Sequence, residues 1–166
     1  MSAKLSSLMI LALATLAGGM AFGGVTLVHA QTPVQPQPYR PGLGDLMTMT
    51  VQPRHTKLGL AGQEKNWTYV AYELHELEES FERAVRVWPT YRQTNIAEML
   101  PGTTKEPMEA LATAIKAADP AKFNEAYGRL TDTCNACHQA TGRPMVVIQV
   151  PKASPFPDQD FRAQKP

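Results

Sequence analysis

The sequence predicts an all-α chain, an antiparallel four-helix bundle over residues 44–142 followed by an extended C-terminal tail over 143–166. Two observations carry this. Apolar residues recur at three- and four-residue steps through most of that stretch. No strand-like alternation competes until Met145–Val150, and prolines at 151, 155 and 157 then keep the tail extended.

Ahead of the bundle, Lys4 precedes an apolar run from Leu8 to Val28 with no acidic residue, and Val28-His29-Ala30 is a small-x-small cleavage pattern. Residues 1–30 therefore read as a signal peptide. A retained membrane anchor is the alternative, since a run of this length could cross roughly 30 Å of hydrocarbon. The glycines within the run and the Ala30 site favour cleavage. Residues 31–43 form a Pro-rich linker, with four prolines among glutamines between Gln31 and Pro41 and too little apolar content to pack alone.

The stretch from Gly44 to Gly62 places Met47, Val51, His55 and Leu58 on one helical face, but Pro53 lies inside it. The helix either kinks there or starts there. The next helix is expected from about Gln63 to Trp88, with Trp67, Val70, Ala71, Leu74, Leu77, Phe81, Ala84, Val85 and Trp88 inward and Pro89 as its stop. Glu73, Glu76, Glu79 and Glu82 form the opposite face, read as solvated rather than as a docking patch. A third helix is expected from about Lys105 to Asp119, with Thr104 as N-cap, Pro107 in its first turn, and Met108, Leu111, Ala112, Ile115 and Ala118 inward. The fourth starts at once on Asp119-Pro120, a cap followed by a first-turn proline, and stops near Thr141 before Gly142 and Pro144.

Sixteen Lys and Arg stand against fifteen Asp and Glu. Losing Lys4 with the leader balances them, so the mature charge is near zero and no nucleic-acid partner is expected.

Only two cysteines occur, in Cys134-Asn135-Ala136-Cys137-His138. A disulfide across C-x-x-C closes too tight a loop to add much stability. A thioredoxin-like site needs a βαβ setting that is missing, and structural zinc needs four ligands, whereas only His55 and His75 remain elsewhere in the mature chain. C-x-x-C-H is the attachment signature of haem c. On a helix the two sulfurs share a face and can bond the two vinyl-derived carbons of the porphyrin edge, while His138 approaches the iron from the same side. Phe123, Tyr127, Leu130, Cys134, Cys137 and His138 form one stripe, so the motif faces the core. The expected cofactor is one covalent haem c.

With these residues, over roughly Gly44 to Thr141, the chain resembles the class II c-type cytochromes, the cytochrome c-prime family, whose four-helix bundle carries C-x-x-C-H near its C-terminus. The resemblance implies a sixth iron position supplied from the start of the first helix. Low-spin members place a methionine there and carry electrons; high-spin members leave it open and bind nitric oxide or carbon monoxide. The resemblance to low-spin members implies a ligand about four turns before the end of the first helix, and counting back that far from Gly62 arrives within a residue or two of Met47, the first candidate for the sixth ligand. Met49 points about 200° around a regular helix and returns to contention if Pro53 breaks it. His55 shares the Met47 face but lies about 12 Å further along. Core packing is the ordinary alternative for either methionine.

The chain departs from the family after His138, where Gln139-Ala140-Thr141-Gly142-Arg143 replaces the usual aromatic and basic pair; only Arg143 remains to pair with a haem propionate. The tail is extra and could cover a haem edge or meet a partner. Trp67, Tyr69 and Tyr72 are candidates for the pocket wall or for plain aromatic core. No acid, base and nucleophile are grouped elsewhere, so the expected role is electron transfer between redox partner proteins in the bacterial periplasm, not enzymatic catalysis. Gas binding is the alternative, and the resemblance admits a homodimer through the first two helices. A membrane association is expected only if the leader is retained.

Overall fold

In the computed structural model, which describes residues 38–164, the chain is helical apart from one short ribbon and an irregular C-terminal arm. The expected leader, 1–30, and most of the linker lie outside the described residues. The linker's last residues are held firmly: Arg40 donates to the Val87 carbonyl and lies 3.7 Å over the Trp88 ring, while Trp88 Nε1 donates to the Pro41 carbonyl at 2.8 Å.

The first helix begins as α1 (Leu43–Leu46), widens into a π turn (Met47–Val51) and continues as α2 (Gln52–Gln63). Asp45 Oδ2 accepts from the Gly42 N–H at its start. The helix neither starts nor breaks at Pro53. Instead the Gln52 N–H reaches back five residues to the Met47 carbonyl, and this wider turn accommodates a ring that an α-helical carbonyl would strike. Val51, His55 and Leu58 are buried on one face as expected.

α3 (Trp67–Val87) starts later than expected, because the turn before it closes α2 first. The Lys65 N–H bonds the Gly62 carbonyl, the Asn66 N–H bonds the Ala61 carbonyl, and Lys65 takes φ 54°. Asn66 then caps α3 through the Tyr69 N–H. Its buried stripe is Val70, Glu73, Leu77, Ser80, Phe81 and Ala84, and Ala71 faces water. The acidic face is therefore not uniformly solvated. Glu73 is fully buried and accepts from Arg54 at 3.3 Å, and Arg54 also meets Glu76 at 2.9 Å.

A two-stranded antiparallel ribbon, β1 (Thr90–Tyr91) with β2 (Thr94–Asn95), leads into α4 (Ile96–Lys116). The helix begins nine residues before the expected start, at the Asn95 cap, so Thr104 is not an N-cap: it is buried and donates to the Leu100 carbonyl at 2.8 Å. Pro101 and Pro107 both sit inside the helix. The carbonyls they leave without a donor belong to Ala97 and Thr103, which are exposed to water, so the loss is tolerated. The buried stripe Ile96, Leu100, Thr104, Pro107, Leu111 and Ala114 overrides the capping signal of Thr104. Ala112 and Ala118, expected inward, are exposed.

α5 (Pro120–Ala140) follows as expected, with the Asp119 carboxylate accepting from Ala121 and Lys122 N–H groups. α2 packs on α3, α3 on α4, α4 on α5, and α5 back on α2. That last contact depends on two glycines: a Cβ on Gly59 would stand 2.5 Å from Tyr127 Oη, and one on Gly62 would stand 2.0 Å from a Phe123 ring carbon. Leu58, Val70, Leu77, Leu111, Phe123 and Leu130 fill the centre.

Beyond Gly142 the described chain is neither helix nor strand. Met145, expected to open an extended segment, lies in a turn closed by the Val146 N–H on the Arg143 carbonyl, and the chain from there to Val150 joins no sheet. Among the described residues, no helix is long and apolar enough to cross a membrane.

Candidate functional site

One cavity gathers most of the residues singled out in the sequence. Met47 and His55 from the first helix, Cys134, Cys137 and His138 from α5, and Arg143 from the arm all line it. Met49 does not; its side chain is 73% exposed, which leaves Met47 as the methionine of that pair facing the cavity. The π turn keeps Met47 on the Val51 side despite Pro53.

The rest of the wall is chiefly apolar, with Leu43, Val51, Phe81, Ile96, Leu100 and Ile148 contributing. Its volume is about 260 Å³, on the order of twenty times what a single water needs. The cavity suits a large apolar group. Trp67, Tyr69 and Tyr72 are not part of it: Trp67 and Tyr69 pack against the core, and Tyr72 is exposed. Met99, on the first turn of α4, lines the cavity as well. Sequence reasoning missed it because α4 was expected to begin after it.

Cys134 and Cys137 are free thiols, half-buried on the cavity wall. Burial, with Cys137 nearby, pushes the Cys134 thiol up to about 11, and burial raises Cys137 too. Reactive dithiols need the opposite shift, toward thiolate at neutral pH. Among the described residues, no three His, Cys, Asp or Glu side chains group as a closed metal cage would require. The pair thus has neither the electrostatics of a thioredoxin-like centre nor the convergence of a zinc site.

His138 is oriented by its backbone surroundings. Its Nδ1–H donates to the Val146 carbonyl at 2.8 Å, which leaves Nε2 as the nitrogen open to a metal. Thr141 Oγ1 caps the Cys137 carbonyl at 2.8 Å, closing the last turn of α5 beneath the motif. Arg143 is held by Tyr91 Oη at 2.8 Å and by the Thr141 carbonyl at 3.0 Å, at the edge of the cavity.

His55 is bound on both sides. Thr131 Oγ1 spends its proton on the Tyr127 carbonyl at 2.9 Å, so it accepts from His55 Nε2–H at 2.9 Å. Nδ1 faces the Tyr127 hydroxyl at 3.1 Å, and that hydroxyl also donates to the His55 carbonyl at 2.8 Å. The Tyr127 ring stacks on the imidazole at 4.7 Å. Burial lowers the His55 pKa to about 4, so the ring is neutral.

These residues fit a covalently held haem: two inward sulfurs one helical turn apart, a neighbouring imidazole with a free Nε2, an apolar slot, and a thioether from another helix. Comparison with family models, curated proteins and solved structures gives no match, so the functional reading rests on the residues themselves.

Proposed function

We propose that this protein is an exported monohaem c-type cytochrome that carries electrons between redox partner proteins, with Cys134 and Cys137 as thioether attachments and His138 as an axial iron ligand. The single observation that supports it most is the co-location of Cys134, Cys137, His138 and Met47 on one apolar cavity. In this reading the four long helical segments form an antiparallel four-helix bundle, as in the class II cytochromes that the motif and helix order resemble, and the protein works in the bacterial periplasm.

When bound, the haem supplies a one-electron couple. The chain's own residues hold and shield it. The sulfurs would hold the porphyrin, and Nε2 of His138 would be the nitrogen offered to the iron because Nδ1–H is committed to Val146. Met47 would supply the remaining iron ligand, and its thioether would favour ferrous iron and raise the potential relative to a second imidazole. His55 as sixth ligand would have to give up a hydrogen bond from a neutral, stacked ring, which counts against it. Arg143, already at the rim, is placed to pair with a propionate.

Absorption spectroscopy with carbon monoxide tests this reading on the wild-type protein and on Met47→Ala, Met99→Ala, Met49→Ala and His55→Ala. A sharp low-spin reduced spectrum, insensitive to the gas and converted to a gas-binding form by Met47→Ala alone, is expected. A broad high-spin wild-type spectrum that shifts strongly with the gas replaces electron transfer with gas binding.

A further inference from the structure

The C-terminal arm is tied to the cavity wall at the very residues that carry the motif. Gly142 closes α5 with φ 73°, and the next N–H, of Arg143, donates to the His138 carbonyl at 2.7 Å. A tight turn follows, with the Val146 N–H on the Arg143 carbonyl at 3.0 Å. It delivers the Val146 carbonyl to His138 Nδ1. Two residues on, the side chain of Asn135, between the two cysteines, grips Ile148 by both backbone groups. Its Oδ1 accepts the Ile148 N–H at 2.7 Å and its Nδ2 donates to the Ile148 carbonyl at 2.9 Å. A side-chain amide here takes the place of a neighbouring strand, which is why the extended segment needs no sheet.

Farther along, the arm is fastened to the first helix and to the start of α3. Gln63 Nε2 donates to the Pro151 carbonyl at 2.8 Å, Asn66 Nδ2 donates to the Phe161 carbonyl at 3.2 Å, and Phe161 itself is buried in the core. The arm cannot drift from the motif without breaking these contacts.

We infer that the arm is a positioning element for the metal ligand, with the Asn135 clamp on Ile148 holding the Val146 carbonyl against His138 Nδ1–H. The inference rests on the proposed haem reading. A carbonyl accepting from Nδ1–H fixes the tautomer and ring plane and makes Nε2 a stronger electron donor, which favours ferric over ferrous iron. Asn135 is the positioning residue, acting through Ile148 and Val146, and does not itself touch the cofactor.

The test compares the haem-loaded wild type with Asn135→Ala and Asn135→Asp, after circular dichroism has checked that helix content is kept. Asn135→Asp retains an acceptor for the Ile148 N–H and loses the donor. In Asn135→Ala, amide exchange at Ile148 should rise about tenfold, the ring-proton magnetic-resonance shifts of His138 should move, and the equilibrium constant for reduction against a fixed mediator should rise by about threefold to tenfold. Asn135→Asp should fall between the two. A haem-loaded Asn135→Ala protein with the wild-type His138 ring-proton shifts and reduction equilibrium overturns the arm's role and leaves the haem reading standing. A wild-type protein that carries no haem overturns the haem reading, and the arm's role with it.

Discussion

His55 shows how much a single buried side chain contributes. Its ordinary pKa is 6.5, and burial lowers it to about 4 in the fold. Between those values the unfolded chain takes up a proton that the native imidazole refuses, so stability is full above pH 6.5 and falls as the pH drops toward 4. The difference is worth about 3 kcal/mol by proton linkage. Denaturant unfolding of wild type and His55→Phe across pH 4 to 7 should show a slope that the variant has lost in part; parallel curves would remove the burial argument. Tyr127→Phe should cost about 1–2 kcal/mol at pH 7, since it removes the one hydroxyl proton that the His55 carbonyl and Nδ1 have between them. At this scale the sequence was informative where chemistry is local. The shared place of Cys134, Cys137 and His138 on one inward face is legible from spacing, whereas the Thr131 and Tyr127 bonds that occupy His55 join residues far apart in the chain and leave no local signature. Met99 was hidden for a related reason, because reading Thr104 as a cap put it outside any helix.

Helix ends and close approaches carry the lesson at the level of elements. Three turns close in the same way, after α2, α4 and α5, with left-handed residues Lys65, Ala118 and Gly142. Only the last was read from the sequence, because only there does glycine advertise the conformation. Ala118→Gly should therefore be neutral or stabilising, by up to about 1 kcal/mol, in equilibrium unfolding. Gly62 behaves in the opposite sense. Alanine is the better helix former by about 1 kcal/mol, but its methyl would stand 2.0 Å from the Phe123 ring, so Gly62→Ala should destabilise by about 1–3 kcal/mol. A stabilised Gly62→Ala would mean that α2 and α5 do not meet this closely. α4 illustrates the limit of capping signals: Thr104 as a cap, with Pro107 in the first turn after it, predicts a start there, yet a continuous buried stripe from Ile96 to Ala114 holds one helix across that point.

In the whole molecule, helices from both ends of the described chain surround one apolar cavity, and the arm returns along the first helix to seal its side. All-α character was legible because period-3.6 patterning dominates the sequence. The arm's course was not, since an extended segment held by side chains such as Asn135 and Gln63 has no periodicity to read. Phe161, far along the arm, is 6% exposed, so Phe161→Ala should cost about 3 kcal/mol and loosen residues 143–161 to proteolysis. On the proposed haem reading, a group bound in this apolar cavity would also be part of the packing, so folding would depend on it. The doubly substituted Cys134→Ala, Cys137→Ala protein should unfold roughly 10 °C or more below the wild type, the shift that a loss of several kcal/mol produces.

The central claim is that Cys134 and Cys137 carry one haem covalently, and intact mass spectrometry after acid extraction of loose cofactor tests it most directly. The protein should be produced in cells that assemble c-type haem. A mass increased by one haem that survives extraction, and that maps to the peptide containing residues 134–138, is expected. Two unmodified thiols, or a chain two hydrogens lighter from a disulfide, would contradict it.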